Sequence, residues 1–217
     1  MSRIAYVNGA YVPQRDAAVN VEDRGYQFGD GIYEVIHLHQ GRFVDEGLHL
    51  DRLERSLGEI RLPMPMPRAA LRHVLHEVVR RNRVHEGIVY MQVTRGVAKR
   101  DHAFPTKPVA PALVVTTRRL PPYPADVTRW TATCITAPDQ RWARRDIKSV
   151  NLLPNVLARQ AARDAGTTEA IMYDPATGEV TEGASTTVWI VDADGVLRTR
   201  HLDAVVLPGC TRGALIA

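Results

Sequence analysis

The run Asp146-Ile147-Lys148-Ser149-Val150-Asn151-Leu152-Leu153 sets a primary amine between a basic turn (Arg141, Arg144, Arg145) and the apolar start of an expected helix. Only three lysines, Lys99, Lys107 and Lys148, occur among the 217 residues, and Lys148 alone has such a setting. Arginine stays protonated at any useful pH and forms no Schiff base, whereas lysine loses its proton readily when desolvated or placed beside other cations. Lys148 therefore reads in two ways: as an ordinary surface charge in an arginine-rich chain, or as an amine kept for covalent chemistry. The segment alone leaves both readings open.

Working outward, the chain patterns as two halves in which strands group apart from helices, an α+β arrangement. Upstream, Ile4 to Val7 and Ala10 to Val12 flank Asn8-Gly9, the dipeptide suited to two positive φ angles in a hairpin turn. A strand from Ile32 to Leu38 turns at Gln40-Gly41 into Arg42-Phe43-Val44. Leu50, Leu53, Leu57 and Ile60 recur at helical spacing, as do Leu71, Val74, Leu75, Val78 and Val79 after Pro67. Strands at Ile88 to Thr94 and Ala112 to Thr117 bracket a polar loop from Arg95 to Pro111. Pro121-Pro122-Tyr123-Pro124 suits neither ladder nor helix and marks the boundary between a small N-terminal domain, 1–120, and a larger C-terminal one, 121–217, that carries Lys148. Beyond it we expect a buried strand from Trp130 to Ala137, a helix from Asn151 to Ala165 closed near Gly166, and strands at Ala170 to Tyr173, Thr187 to Val191 and Val196 to Thr199.

Composition narrows the function classes. The formal net charge of +4 is small for this length and no basic run rises above scattered arginines, so the sequence carries no nucleic-acid footprint. Cys134 and Cys210 match no metal or redox spacing, which points to free thiols in a reducing compartment and to no metal. No basic-then-apolar leader follows Met1 and no apolar run approaches about eighteen residues, so a cytoplasmic location is expected.

Five further segments could carry chemistry, and each has an innocent alternative. Arg24-Gly25-Tyr26-Gln27-Phe28-Gly29-Asp30-Gly31 is glycine-rich ahead of a strand, as a plain turn or as a close backbone approach to a ligand. Arg52, beside Leu53 on a helix, is a solvated charge or an inward phosphate ligand. Arg95, Lys99, Arg100 and His102 gather cations in one loop, solvated or holding a carboxylate. Thr181-Glu182-Gly183-Ala184-Ser185 holds one carboxylate among small residues, a turn acid or the partner of a buried cation. Pro208-Gly209-Cys210-Thr211-Arg212 is a glycine turn into a helix start, an arrangement that can bind phosphate through backbone N–H groups.

Together these are an amine, a carboxylate for a pyridinium, and an arginine plus a helix start for a phosphate. In this the chain resembles the fold-type IV pyridoxal-phosphate enzymes, and within them the D-amino-acid aminotransferases. The resemblance is carried by Arg24-Gly-Tyr-Gln-Phe-Gly-Asp-Gly-Ile-Tyr-Glu34, His49-x-x-Arg52-Leu53, Val93-Thr-Arg-Gly96 with Arg100-x-His102-x-Phe104-Pro105, the Lys148 run, Thr181-Glu-Gly183 and Leu207-Pro-Gly-x-Thr-Arg212. These motifs stand in family order along almost the whole chain.

The resemblance implies a two-domain α+β fold and transamination of D-amino acids with a 2-oxo acid on pyridoxal 5'-phosphate. It makes Lys148 the covalent attachment point and proton shuttle, Glu182 the partner of the ring nitrogen, and Arg52 the phosphate ligand, with Ser185, Cys210 and Thr211 also on the cofactor. Tyr33, Arg100 and His102 would grip the substrate carboxylate, the Arg-x-His loop reaching in from the other subunit of a homodimer; no nucleic acid or membrane partner is implied. Rival readings are aminodeoxychorismate lyase, a branched-chain L-aminotransferase and a truncated, non-catalytic paralogue. Thr187 stands where many relatives carry asparagine, and family members continue through further strands and helices past the position of Ala217. That leads us to expect an incomplete C-terminal domain with apolar surface uncovered.

Overall fold

The structure is a computed structural model that describes residues 3–217, with the backbone alone described at Val127. The reading made at Met1 lies outside the described residues. Contacts divide the chain into two units, one of residues 1–122 with Lys148–Val150, the other of 123–147 with 151–217.

The first unit is built on a six-stranded antiparallel sheet. Its strands are β1 (Ile4–Val7), β2 (Ala10–Pro13), β3 (Gly31–His39), β4 (Arg42–Phe43), β5 (Gly87–Thr94) and β6 (Ala112–Arg119), in the order β2-β1-β6-β5-β3-β4. Asn8 and Gly9 turn the first hairpin with φ of 46° and 102°. Strand alternation puts Ile32, Ile36 and Leu38 of β3 and Val89, Met91 and Val93 of β5 fully inside. Helices α2 (Glu46–Glu59) and α3 (Arg68–Asn82) supply the apolar stripes that cover them, α2 on β3 and α3 on β1 and β6. Leu50, Leu53 and Leu57 of α2 and Leu71, Leu75 and Val78 of α3 are at most 1% exposed. Each such side chain contributes roughly 1.5–3 kcal/mol through burial. The glycine-rich segment before β3, read from sequence as a plain turn or a close backbone approach, contains a short helix, α1 (Arg24–Phe28). The Asp23 carboxylate accepts the Gly25 N–H at 2.8 Å, and Gly29 closes the helix at φ 67°.

Lys148–Val150 joins this unit, whereas the sequence reading places Lys148 with the C-terminal half. The reason is backbone pairing along the start of β3: Tyr33 N–H donates to Lys148 C=O and Val150 N–H to Gly31 C=O, each at 3.1 Å, around an antiparallel bridge between Ile32 and Ser149.

The second unit has a three-stranded sheet, β7 (Cys134–Pro138), β8 (Glu169–Tyr173) and β9 (Val180–Gly183), with β7 and β8 parallel and β9 antiparallel. A parallel pair needs a long crossover, which α4 (Leu153–Asp164) supplies, with Pro154 in its first turn where no donor is lost. Ala158 and Ala162 of α4 pack on Ala137, Ala170 and Met172. A hairpin of β10 (Trp189–Val191) and β11 (Leu197–Thr199) and a final helix, α5 (Cys210–Ile216), follow. Among these, β9 was not foreseen, since its Thr-Glu-Gly sequence carries no apolar alternation.

The expected buried strand from Trp130 to Ala137 is corrected here. The strand spans Cys134–Pro138, with Ala137 its only buried residue, and Trp130 is 51% exposed. Trp130 stacks on Tyr123 at 4.7 Å and donates its indole N–H to Pro124 C=O at 3.2 Å, folding the proline segment onto itself instead of extending the ladder. Leu153, Val156 and Leu157 of α4 and Ile190, Val191 and Leu197 of the hairpin are each more than half exposed.

Gly96 roots the loop that carries Arg100 and His102. Its φ is 89°, and a Cβ there would stand 2.2 Å from Ala110 C=O. Gly58, by contrast, lies inside α2 with open space around it. Gly96→Ala should therefore destabilise the cofactor-free protein by more than about 1 kcal/mol, and Gly58→Ala should stabilise it by about 0.5–1 kcal/mol. Paired denaturant melts check this; equal effects of one sign would contradict it.

Candidate active site

Lys148 is half-buried, with Nζ 3.2 Å from the Tyr33 hydroxyl and 4.3 Å from the centre of its ring. Tyr33 stacks on Tyr90 at 5.7 Å, and Tyr90 donates its hydroxyl to Gln92 Oε1 at 2.6 Å. Burial, and then the neighbouring Tyr33, push the Tyr90 phenol up to about 12, so it stays neutral. Lys99 and Lys107 lie exposed on the 95–111 loop.

Glu34, the next residue of β3, points to the opposite face and is fully buried beneath α2. Arg52 meets it with two parallel bonds, Nε to Oε1 and Nη2 to Oε2, both 2.7 Å, and His49 Nδ1 lies 2.8 Å from Oε2. Burial alone would raise the Glu34 carboxyl. The hydrogen bonds from Arg52 and His49 outweigh it and hold the group below its ordinary value. Arg52 is thus turned inward, not solvated, and locked by a carboxylate that sequence reasoning had not singled out. The signal was present: Ile32, Glu34, Ile36 and Leu38 share one strand face, so a charge lies in an apolar row and needs a buried cation.

The Arg100 and His102 segment is not an extended strand, because the Asp101 carboxylate accepts the Ala103 N–H at 3.1 Å and turns the chain. Both side chains nevertheless gather on one ring. Arg100 lies 4.7 Å from the Phe28 centroid and the His102 ring 5.4 Å from it. Arg24 anchors this loop from beneath, donating to Asp101 C=O at 2.6 Å and to Asp30 at 2.9 Å. Arg95 grips both Asp30 oxygens, at 2.7 and 2.9 Å, and lies over Phe104 at 3.7 Å. Burial opposes ionisation of Asp30, and the hydrogen bonds from Arg95 and Arg24 prevail and lower its pKa.

In the second unit, Glu182 lies on β9 with its side chain 9% exposed and is paired with Arg141 Nη1; Leu207 N–H reaches its two oxygens at 3.3 and 3.4 Å. Burial pushes the Glu182 carboxyl above its ordinary value, and Arg141 draws it part of the way back. Ser185 donates its hydroxyl to Glu169 at 2.8 Å. Cys210, buried, and Thr211, exposed, open α5 after Gly209. Lys148, Arg52, Tyr33, Arg100 and His102 thus belong to the first unit, and Glu182, Ser185, Cys210 and Thr211 to the second. Among the described residues no group of three or more His, Cys, Asp or Glu side chains is placed to hold a metal ion, and no helix is long and apolar enough to cross a membrane.

The family of class IV amino-transferases matches residues 31–217. A D-alanine aminotransferase of Listeria monocytogenes is 42% identical over 213 residues, which are 97% of this chain and 72% of the relative. Among solved structures, the branched-chain amino acid aminotransferase of Escherichia coli superposes with a TM-score of 0.87 at 23% identity, over all of this chain and 73% of the other, a likeness of fold. A second branched-chain amino acid aminotransferase, from T.th. and solved with pyridoxamine 5'-phosphate, gives 0.85 at 26% identity, over 100% and 73%.

The pairing of Glu34 predicts how Arg52 variants behave. Arg52→Ala strands a buried carboxylate and should cost about 3–5 kcal/mol in denaturant melts of the cofactor-free protein, while Glu34→Gln/Arg52→Met, which removes both charges, should cost less. Because the Glu34 pKa is lowered on folding, its stabilisation is complete above about 4.3 and is lost as pH falls through the lower folded value. The acid limb of stability should therefore flatten in the double variant. An Arg52→Ala protein as stable as the double variant would contradict the pairing.

Proposed function

Because the chain belongs to the aminotransferase class IV family, we propose that it moves the amino group of a D-amino acid, such as D-alanine, to a 2-oxo acid such as 2-oxoglutarate, using pyridoxal 5'-phosphate. The observation that carries this reading is the placement of Lys148: a primary amine pinned by its backbone to β3 and resting on a phenol. The remaining donor set fits the same cofactor, with a buried carboxylate at Glu182 and an immobilised guanidinium at Arg52. When bound, the cofactor supplies the electron sink that stabilises negative charge on the substrate α-carbon.

The chain's own residues do the rest. Lys148 Nζ would be the point of covalent attachment and would hold and move the proton at the substrate Cα. Tyr33 orients that nitrogen through its hydroxyl. Glu182 would accept the ring N–H. Arg52, paired with Glu34, would hold the phosphate, as would Ser185, Cys210 and Thr211. Arg100 and His102, collected on Phe28, hold a substrate carboxylate with Tyr33 and so select the hand of the substrate.

We assign the Arg100 and His102 loop to the neighbouring active site of a homodimer. This is supported by exposed Val19, Val21 and Tyr26, the last 77% exposed, beside a cavity of about 340 Å³ that Val19, Tyr26, Val114 and Val150 help to line. That no disulfide joins Cys134 and Cys210 supports a cytoplasmic location.

Borohydride treatment of the cofactor-loaded protein should fix the label to the Lys148 peptide, and Lys148→Ala should abolish both labelling and the visible cofactor band. Lys99→Ala and Lys107→Ala should leave both intact. Arg100→Ala should raise the KM for D-amino acids without altering that band. Label on Lys99 or Lys107, or an Arg100→Ala protein with unchanged KM, would count against these assignments.

A further inference from the structure

The contact that holds Glu182 is more elaborate than a single ion pair. Asp139, just past β7, has a fully buried side chain. It grips Arg141 from one side: Oδ1 accepts Arg141 N–H at 3.1 Å and Nε at 3.0 Å, and Oδ2 accepts Nη2 at 2.7 Å. Thr181 Oγ1, on β9, donates to the same Oδ2 at 2.7 Å. With the Nε and Nη2 edge spent on Asp139, the third guanidinium nitrogen, Nη1, is left directed at Glu182 Oε1. The Arg141 side chain is only 8% exposed. The charged groups facing Glu182 are therefore Arg141 and, behind it, Asp139, which also has Arg145 at 3.5 Å; its other neighbour is the Leu207 N–H. This arrangement fixes one guanidinium against Glu182 Oε1.

Resting on the reading of Glu182 given above, we propose that Arg141 is a positioning residue that keeps the proton shared between Glu182 and the cofactor's ring nitrogen on the nitrogen. In water a pyridine nitrogen outcompetes a carboxylate for a proton. Burial erodes that advantage, because the neutral pair of carboxylic acid and bare nitrogen is favoured over two separated charges. A guanidinium touching the carboxylate reverses the erosion, since it stabilises the anion in contact with it more than it destabilises the more distant ring cation. Its effect on such a carboxylate is about 1–3 pKa units. The ring proton is what makes the cofactor an electron sink, so Arg141 acts on the chemistry through Glu182 without touching the reacting atoms.

Removing Arg141 alone would strand the buried Asp139. The test therefore uses Asp139→Asn/Arg141→Met, which removes both charges, beside Arg141→Lys, which keeps the cation. In cofactor-free protein carrying 13C-labelled glutamate, the Glu182 signal is identified by its loss in Glu182→Gln and then titrated. Its midpoint should rise by about 1–3 units in the double variant and return toward the wild-type value in Arg141→Lys. In protein loaded with pyridoxal phosphate labelled with 15N in the ring, the nitrogen signal should move toward the unprotonated position in Glu182→Gln and in the double variant, and stay in place in Arg141→Lys. An unmoved Glu182 midpoint overturns the proposal. So does a ring nitrogen that responds to Glu182→Gln and ignores the double variant, an outcome that leaves Glu182 as the ring's partner. A ring nitrogen indifferent to both overturns the reading of Glu182 and the proposal with it.

Discussion

Two backbone hydrogen bonds, Tyr33 N–H to Lys148 C=O and Val150 N–H to Gly31 C=O, splice three residues from far along the chain onto the edge of β3. They fix where the amine can be. A lysine side chain has four rotatable bonds and no preferred direction, so its placement comes from the backbone that carries it and from the surface it lies on. Here the backbone is held by ladder bonds and the surface is the Tyr33 ring. The strand's alternation then divides the work between neighbours, with Tyr33 on the face of Lys148 and Glu34 on the face covered by α2. A one-residue slip of this pairing would exchange the two faces and separate the amine from its phenol.

The second organising feature is that four buried or nearly buried carboxylates are answered by arginine. Glu34 is met by Arg52, Asp30 by Arg24 and Arg95, and Asp139 and Glu182 by Arg141. A planar guanidinium can bind one carboxylate along an edge and still direct a donor elsewhere, which an ammonium cannot do with the same geometry. Burial disfavours each carboxylate; at Glu34, Asp30 and Asp139 the arginine contacts prevail, and at Glu182 burial wins. That difference separates carboxylates that hold the fold from the one proposed to face the cofactor.

Much of this was legible in the residues. Apolar spacing marks β3, β5, β6, α2 and α3, and the Asn8-Gly9 turn marks the first hairpin, because in these elements local pattern and burial agree. Reading failed where distant partners decide. Trp130 looked like core but is held by Tyr123 and Pro124, and the strand at Thr181-Glu182-Gly183 depends on pairing with β8, although Glu182 as the partner of a buried cation was one of the two readings made there. Glu34 and Arg141, which hold Arg52 and Glu182, were passed over because each acts through a residue far from it in sequence. Of the candidate site residues, those with distinctive chemistry could be named from sequence, while the partners that orient them needed coordinates.

The most direct test of the account is a product analysis of the purified protein with pyridoxal phosphate, 2-oxoglutarate and either D-alanine or L-alanine. The account predicts that D-alanine yields pyruvate and D-glutamate in equal amounts, with kcat/KM well above that for L-alanine. A preference for L-alanine, or pyruvate released from aminodeoxychorismate with no amino transfer to 2-oxoglutarate, would contradict it.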